Sequence, residues 1–210
     1  MANTFPRSLP NLDDIMDIQI TRKSVVGVTE GMFSLAQQAQ KHSPGRWEVE
    51  YTIVPLNRAD IDEWWAWLAS LNGREKTFYA VLQAPNEPKG SATSYANPQA
   101  AGAHVARTNS LSIDGGPVSV TNYLRYGDYF QIGTTTDSRI YMALENVSTN
   151  GAGEATFDIW PDLYAPLTDN QSIYMSAPVG VFRLKDNTHE LRIDNTPTRK
   201  GLRFSATGVI

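Results

Sequence analysis

The chain has 210 residues, 41% of them hydrophobic and 19% charged, with a formal net charge of -4 and no cysteine. That length allows one domain with a large core or two small ones. The absence of cysteine removes disulfides, thiolate chemistry and Cys-ligated metals, and the acidic balance lacks the clustered Lys and Arg with which a duplex-DNA binder neutralises phosphate.

Fifteen Gly and twelve Pro are spread along the whole length, which favours short strands and turns over a helical bundle. The opening MANTFPRSLP has no basic stretch followed by an apolar core, and no run approaches the ~20 apolar residues of a spanning helix. A soluble protein made in the cytoplasm, with no membrane contact, is expected. Asp13, Asp14 and Asp17 lack the loop pattern and distal Glu of a calcium site and read as a solvated acidic run.

Asp17–Thr29 and Phe33–Lys41 read as two strands joined through Glu30-Gly31, the Ala and Gln content of the second leaving a helix as an alternative. A long half-polar hairpin showing Met32, Phe33 and Leu35 is an edge liability for a lone chain. Ser43-Pro44-Gly45 then leads into Trp47–Ile53, where apolar and polar residues alternate as in a half-buried antiparallel strand. Glu48 and Glu50 consequently point outward together. Glycoside hydrolysis uses two carboxylates, but no second acidic cluster is marked out to face this pair.

The pattern predicts one helix over 57–72. Asn57 is a good N-cap, Asp60 follows three residues later, and Asp62 and Glu63 add negative charge to the first turn. Ile61, Trp64, Trp65, Leu68 and Leu71 form the apolar stripe, and Gly73 supplies the stop. Trp64 and Trp65 are expected in the core rather than as a ligand platform. Trp67, on the flank, covers a sheet edge or touches a neighbouring subunit. Lys76–Gln83 reads as a strand with one buried face.

From 84 to 116 the Pro, Gly, Ser, Asn and Ala content reads as a linker or long loop. His42, His104 and His189 are scattered, with no carboxylate at metal-ligand spacing. No Ser sits in a Gly-x-Ser-x-Gly turn, and no Gly-rich phosphate cradle is present. The expectation is a protein that is not an enzyme, with no catalytic, cofactor-binding or metal-binding residues.

Beyond this stretch, Ser110–Pro178 reads as a second all-β unit. Ala155, Phe157 and Ile159 alternate with Glu154, Thr156 and Asp158 after the Asn150-Gly151 turn, and some five short strands suit a small closed barrel of the OB type. Tyr123, Tyr126, Tyr129 and Phe130 are candidates for stacking on bases or sugars. Only Arg125 and Arg139 lie nearby, so core and interface packing is the favoured reading. Three further strand candidates, VFRLKD, ELRID and GLRFSATGVI, have no core of their own and are expected to complete the first sheet. The expected fold is mainly β: a sandwich-like domain with one packed helix, discontinuous over 1–100 and 179–210, and an inserted OB-like barrel domain over 104–178.

Gly127-Asp128-Tyr129-Phe130-Gln131-Ile132-Gly133, the Gly151-Ala152-Gly153 hairpin with Asp158-Ile159-Trp160-Pro161, and Pro178-Val179-Gly180-Val181-Phe182-Arg183-Leu184 resemble a stretch of tail proteins from long-tailed bacteriophages. The N-terminal half is similar too, with a Trp-led strand ending at Pro55-Leu56, a helix finishing at Leu71-Asn72-Gly73 and a strand opened by Thr77-Phe78. Thr134-Thr135-Thr136-Asp137 departs from the pattern, where a tighter turn is usual. The resemblance is to the distal tail family and implies a tail-tube-like domain that assembles as a hexameric ring in the virion tail, between tail tube protein and tail-tip hub protein, with phage DNA passing through the lumen. In that setting Met32, Phe33 and Leu35 in the hairpin and Trp67 on the helix flank are the expected subunit contacts. The alternative is a carbohydrate-binding module of the tail tip, using Tyr129 or Trp160.

Overall fold

The computed structural model describes residues 4–54, 58–191 and 201–209. The fold is mainly β, with one α-helix among the described residues, as the sequence pattern leads one to expect. Two antiparallel sheets carry it.

The first sheet begins with two long strands, β1 (Ile15–Glu30) and β2 (Gln37–Ile53), paired almost end to end. Helix α1 (Arg58–Ser70) and strand β3 (Thr77–Ala80) follow. The chain returns to this sheet with β10 (Gly180–Leu184) and β11 (Leu202–Gly208), giving the order β1-β2-β11-β10-β3. Ser43-Pro44-Gly45 does not separate two strands, and no helix forms over 33–41: β2 starts at Gln37 and runs on through Ser43-Pro44-Gly45, while 31–36 form the turn at the end of the hairpin. Pro44 is tolerated because β11 pairs only with Glu48–Ile53, and the β1 ladder opposite is already shifted between Lys23 and Val26. Most of the ELRID strand expected at 190–194, and the N-cap Asn57, lie outside the described residues.

Helix α1 buries its stripe on the sheet, one step around from the expected one. Trp67 is 1% exposed and Trp65 37%. Trp64, Trp67, Leu68 and Leu71 meet Tyr51, Phe78 and Phe204, with ring centroids 5.0 Å apart for Trp67 and Phe78 and 5.7 Å for Trp67 and Phe204. The shift has a long-range cause. The N-terminal segment crosses the helix, and the indole N–H of Trp67 donates to the carbonyl of Ser8 at 2.7 Å. On the other side, the indole N–H of Trp64 donates to buried Asp14 at 2.9 Å, so Asp14 is a structural acceptor and not part of a solvated run. Asn72 and Gly73, both at positive φ, end the helix.

The second sheet draws on residues 99–174: β4 (Gln99–Ala100), β5 (Ser110–Asp114), β6 (Tyr129–Ile132), β7 (Arg139–Ala143), β8 (Ala155–Trp160) and β9 (Ile173–Tyr174), in the order β4-β5-β8-β7-β6-β9. A bridge between Gln99 and Ser172 joins its two ends, so the sheet curls into a barrel filled by Leu111, Ile113, Tyr123, Phe130, Phe157 and Ile159, among others.

The stretch expected as a linker is built into this barrel. Ala92 and Ala100 are core residues. The buried carboxylate of Asp128 accepts the backbone N–H groups of Lys89 at 2.8 Å, Gly90 at 2.9 Å and Arg125 at 2.8 Å, tying the incoming segment to the turn before β6. His104 also has a structural partner, its Nε2 accepting the N–H of Ser112 at 2.9 Å.

Candidate functional site

Beyond Lys23 on β1 and Ser43 on β2, the hairpin leaves the sheet behind and continues as a two-stranded arm. The register places Val26 opposite Lys41 and Val28 opposite Ala39, and directly opposed residues share a face. Gly27 and Thr29, opposite Gln40 and Gln38, form the other face. One side of the arm therefore carries Val26, Val28 and Ala39 together with Lys41 and the Glu30–Gln37 pair, and the other side is polar. At the tip Met32 is 86% exposed, Phe33 97% and Leu35 71%, and Val26 and Val28 are exposed along the shaft.

The root of the arm is fixed to the barrel. Lys41 forms an ion pair with Asp162, a buried carboxylate just after β8. The Tyr164 hydroxyl donates to the carbonyl of Gly45 at 2.7 Å, and Arg22 lies over the Trp160 ring at 5.5 Å. Trp160 itself meets Trp47 edge-on with centroids 4.2 Å apart, while the Trp47 indole N–H donates to the carbonyl of Ile140 at 3.0 Å. Lys41 shares its face with Val26, Val28 and Ala39, so that face is the one turned toward the barrel at the root, while Val26 and Val28 farther along remain more than half exposed.

The sequence candidates fall in different places. Met32, Phe33 and Leu35 sit together at the arm tip. Trp67 does not join them, being buried under Ser8, so it offers nothing to a neighbour. Tyr123 and Phe130 are barrel core, Tyr126 is exposed, and Tyr129 is half-buried with its ring 5.6 Å from Trp47. Trp160, 8% exposed and enclosed by the arm root, is no sugar platform.

Glu48 and Glu50 do point away from the core, but Glu48 is held by cations. Lys185 donates to it at 2.9 Å, Arg46 at 3.2 Å, and Lys23 approaches to 3.7 Å. The hydrogen bond from Lys185, aided by the neighbouring positive charges, keeps its carboxyl below the usual glutamate range despite partial burial. No group of three or more His, Cys, Asp or Glu side chains among the described residues is placed to hold a metal ion. No described helix is long and apolar enough to cross a membrane.

Sequence reasoning missed Asp128, Asp162 and Arg139 as positioned side chains. Asp162 is paired across 121 residues and Asp128 across as many as 39, so no short motif could have marked them, while Arg139 bonds the carbonyls of Thr136 and Ser138 in its own turn. No family model and no curated protein matches the chain at a significant level.

Proposed function

We propose that this chain is a structural protein of the virion tail of a long-tailed bacteriophage, where copies form a hexameric ring at the distal end that joins the tail tube to the tail tip. The reading rests on the sequence resemblance and on one structural observation above all: an arm that extends the central sheet and holds Met32, Phe33 and Leu35 almost fully in solvent. A two-stranded ribbon is marginal by itself, and a cluster of large apolar side chains at its end gains stability only when something covers it. A neighbouring copy is the natural cover, since one heterologous contact repeated around an axis closes into a ring. The contact residues in this reading are Met32, Phe33 and Leu35.

Negative-stain imaging of the purified chain, alone and mixed with tail tube and tail-tip hub proteins, tests this. Annuli of uniform diameter are expected in at least the mixed sample. A chain that stays monomeric by light scattering in every mixture removes the proposal.

A further inference from the structure

A cleft of about 300 Å³ opens on the barrel wall between the end of β6, the turn at Thr135–Asp137, the start of β7 and the segment 164–171. Its polar lining is rich in donors. The guanidinium of Arg139 is fixed by two hydrogen bonds from Nη1, to the carbonyls of Thr136 and Ser138, each 2.9 Å. Its Nε and Nη2 bond no described residue, and it forms no ion pair among them. The hydroxyl oxygen of buried Tyr141 accepts the N–H of Tyr164 at 3.3 Å, while its own proton has no acceptor among the described residues. Burial pushes the Tyr141 phenol up to about 12, so it remains a donor at neutral pH. Gln171 accepts the N–H of Thr168 through Oε1 at 3.3 Å, leaving its amide hydrogens free among the described residues.

The remaining lining separates the possible ligands. A fixed guanidinium edge matches a carboxylate in shape and charge. A phosphate or a nucleic-acid strand would want more than one cation, and Asp137 in the same cleft opposes a dianion. The Asp137 carboxylate suits hydroxyl donors instead. Ile132, Pro166 and Leu167 supply an apolar wall for C–H groups, and the volume lies at the small end of ligand pockets.

We propose that this cleft binds one sugar unit bearing a carboxylate, as in a uronic-acid residue of an acidic polysaccharide. Arg139 takes the carboxylate, Tyr141 and Gln171 donate to ligand oxygens, Asp137 accepts from a sugar hydroxyl, and Ile132, Pro166 and Leu167 cover the ring face. The proposal is independent of ring assembly, since every group it uses belongs to one barrel.

The test is a titration of the full isotope-labelled chain with glucuronic acid, followed by NMR of the backbone amides and of the sugar. Shifts confined to 131–141 and 164–171 are expected, with glucose and the glucuronate methyl ester weaker by about five-fold or more. Gln171→Glu keeps the acceptor for Thr168 but replaces the donor with a negative charge, and should weaken glucuronate to the same extent. If that variant does not fold, Arg139→Gln is measured in its place with the same expectation. Equal binding of glucose, equal binding of acetate alone, shifts outside the cleft, or no response up to about 50 mM each overturns the proposal.

Discussion

Gly45 lies flat against the indole of Trp160: a Cβ built there would stand 2.4 Å from Cζ2 of that ring and 3.0 Å from the carbonyl oxygen of Lys23. Neither neighbour can give way. The ring is wedged against Trp47, and the carbonyl belongs to the β1 backbone. Gly45→Ala should therefore destabilise the fold by about 1–3 kcal/mol in urea unfolding, with Gly45→Val worse. A neutral Gly45→Ala would mean that the arm root is not packed as described.

The two neighbouring tryptophans of α1 should behave oppositely. Trp67→Ala empties a site among Phe78, Phe204 and Trp64 and strands the Ser8 carbonyl, costing about 3–5 kcal/mol. Trp65→Ala, on the solvent side, should stay within about 1 kcal/mol of the parent. Denaturant midpoints at matched slopes decide between them.

Asp128→Ala leaves three backbone N–H groups without their shared acceptor. A loss of about 2–4 kcal/mol is expected. The stretch 84–98 should also become the first site of cleavage in limited proteolysis, whereas the parent chain resists there.

Glu48 makes part of the stability depend on pH. Its carboxyl titrates lower in the folded chain than in the unfolded one, so the folded state favours the ionised form. The contribution is therefore present above the ordinary glutamate range and fades as pH falls through the depressed value. Its cationic partners are well exposed, which limits the effect to about 1 kcal/mol or less. Glu48→Gln should be slightly less stable than the parent at pH 7, and the gap should close as acidification protonates Glu48. A gap that widened on acidification would contradict the sign.

Replacing Met32, Phe33 and Leu35 together by Ser removes the exposed tip without touching either core. Thermal stability of the monomer should change little, because these side chains are solvated there. Sedimentation should show assembly lost or weakened at least ten-fold, about 1.4 kcal/mol per contact. Unchanged assembly would place the subunit contact elsewhere.

Local periodicity carried much of the fold into the sequence. The alternation in Trp47–Ile53 and Ala155–Trp160, and the existence and ending of α1, need only neighbours two to four residues away. What was hidden depends on distant groups. Stripes through Trp65 and through Trp67 differ by a small rotation of the helix, and the N-terminal segment over Trp67 decides between them. The order of 84–98 comes from distant partners rather than from its own composition: Asp128 for Lys89 and Gly90, Pro178 for Asn86, Asn122 for Ser91 and Met175 for Asn97. Arg139, Tyr141 and Gln171 are gathered by barrel closure and share no spacing that marks a ligand site. The exposed tip was legible, because Met32, Phe33 and Leu35 interrupt a polar stretch with no apolar period of their own.

The arm is continuous with β1 and β2, with no hinge loop between shaft and sheet. From Lys23 to Glu30 it reaches roughly 23 Å at the usual rise of a strand. A pull on Phe33 would travel along the paired strands to the layer that carries Tyr51 and Phe204, passing through the shifted stretch of ladder between Lys23 and Val26. Lys41 with Asp162 braces the shaft against the barrel just beyond that stretch, so loss of this ion pair would leave the bulge as the arm's weakest point under load.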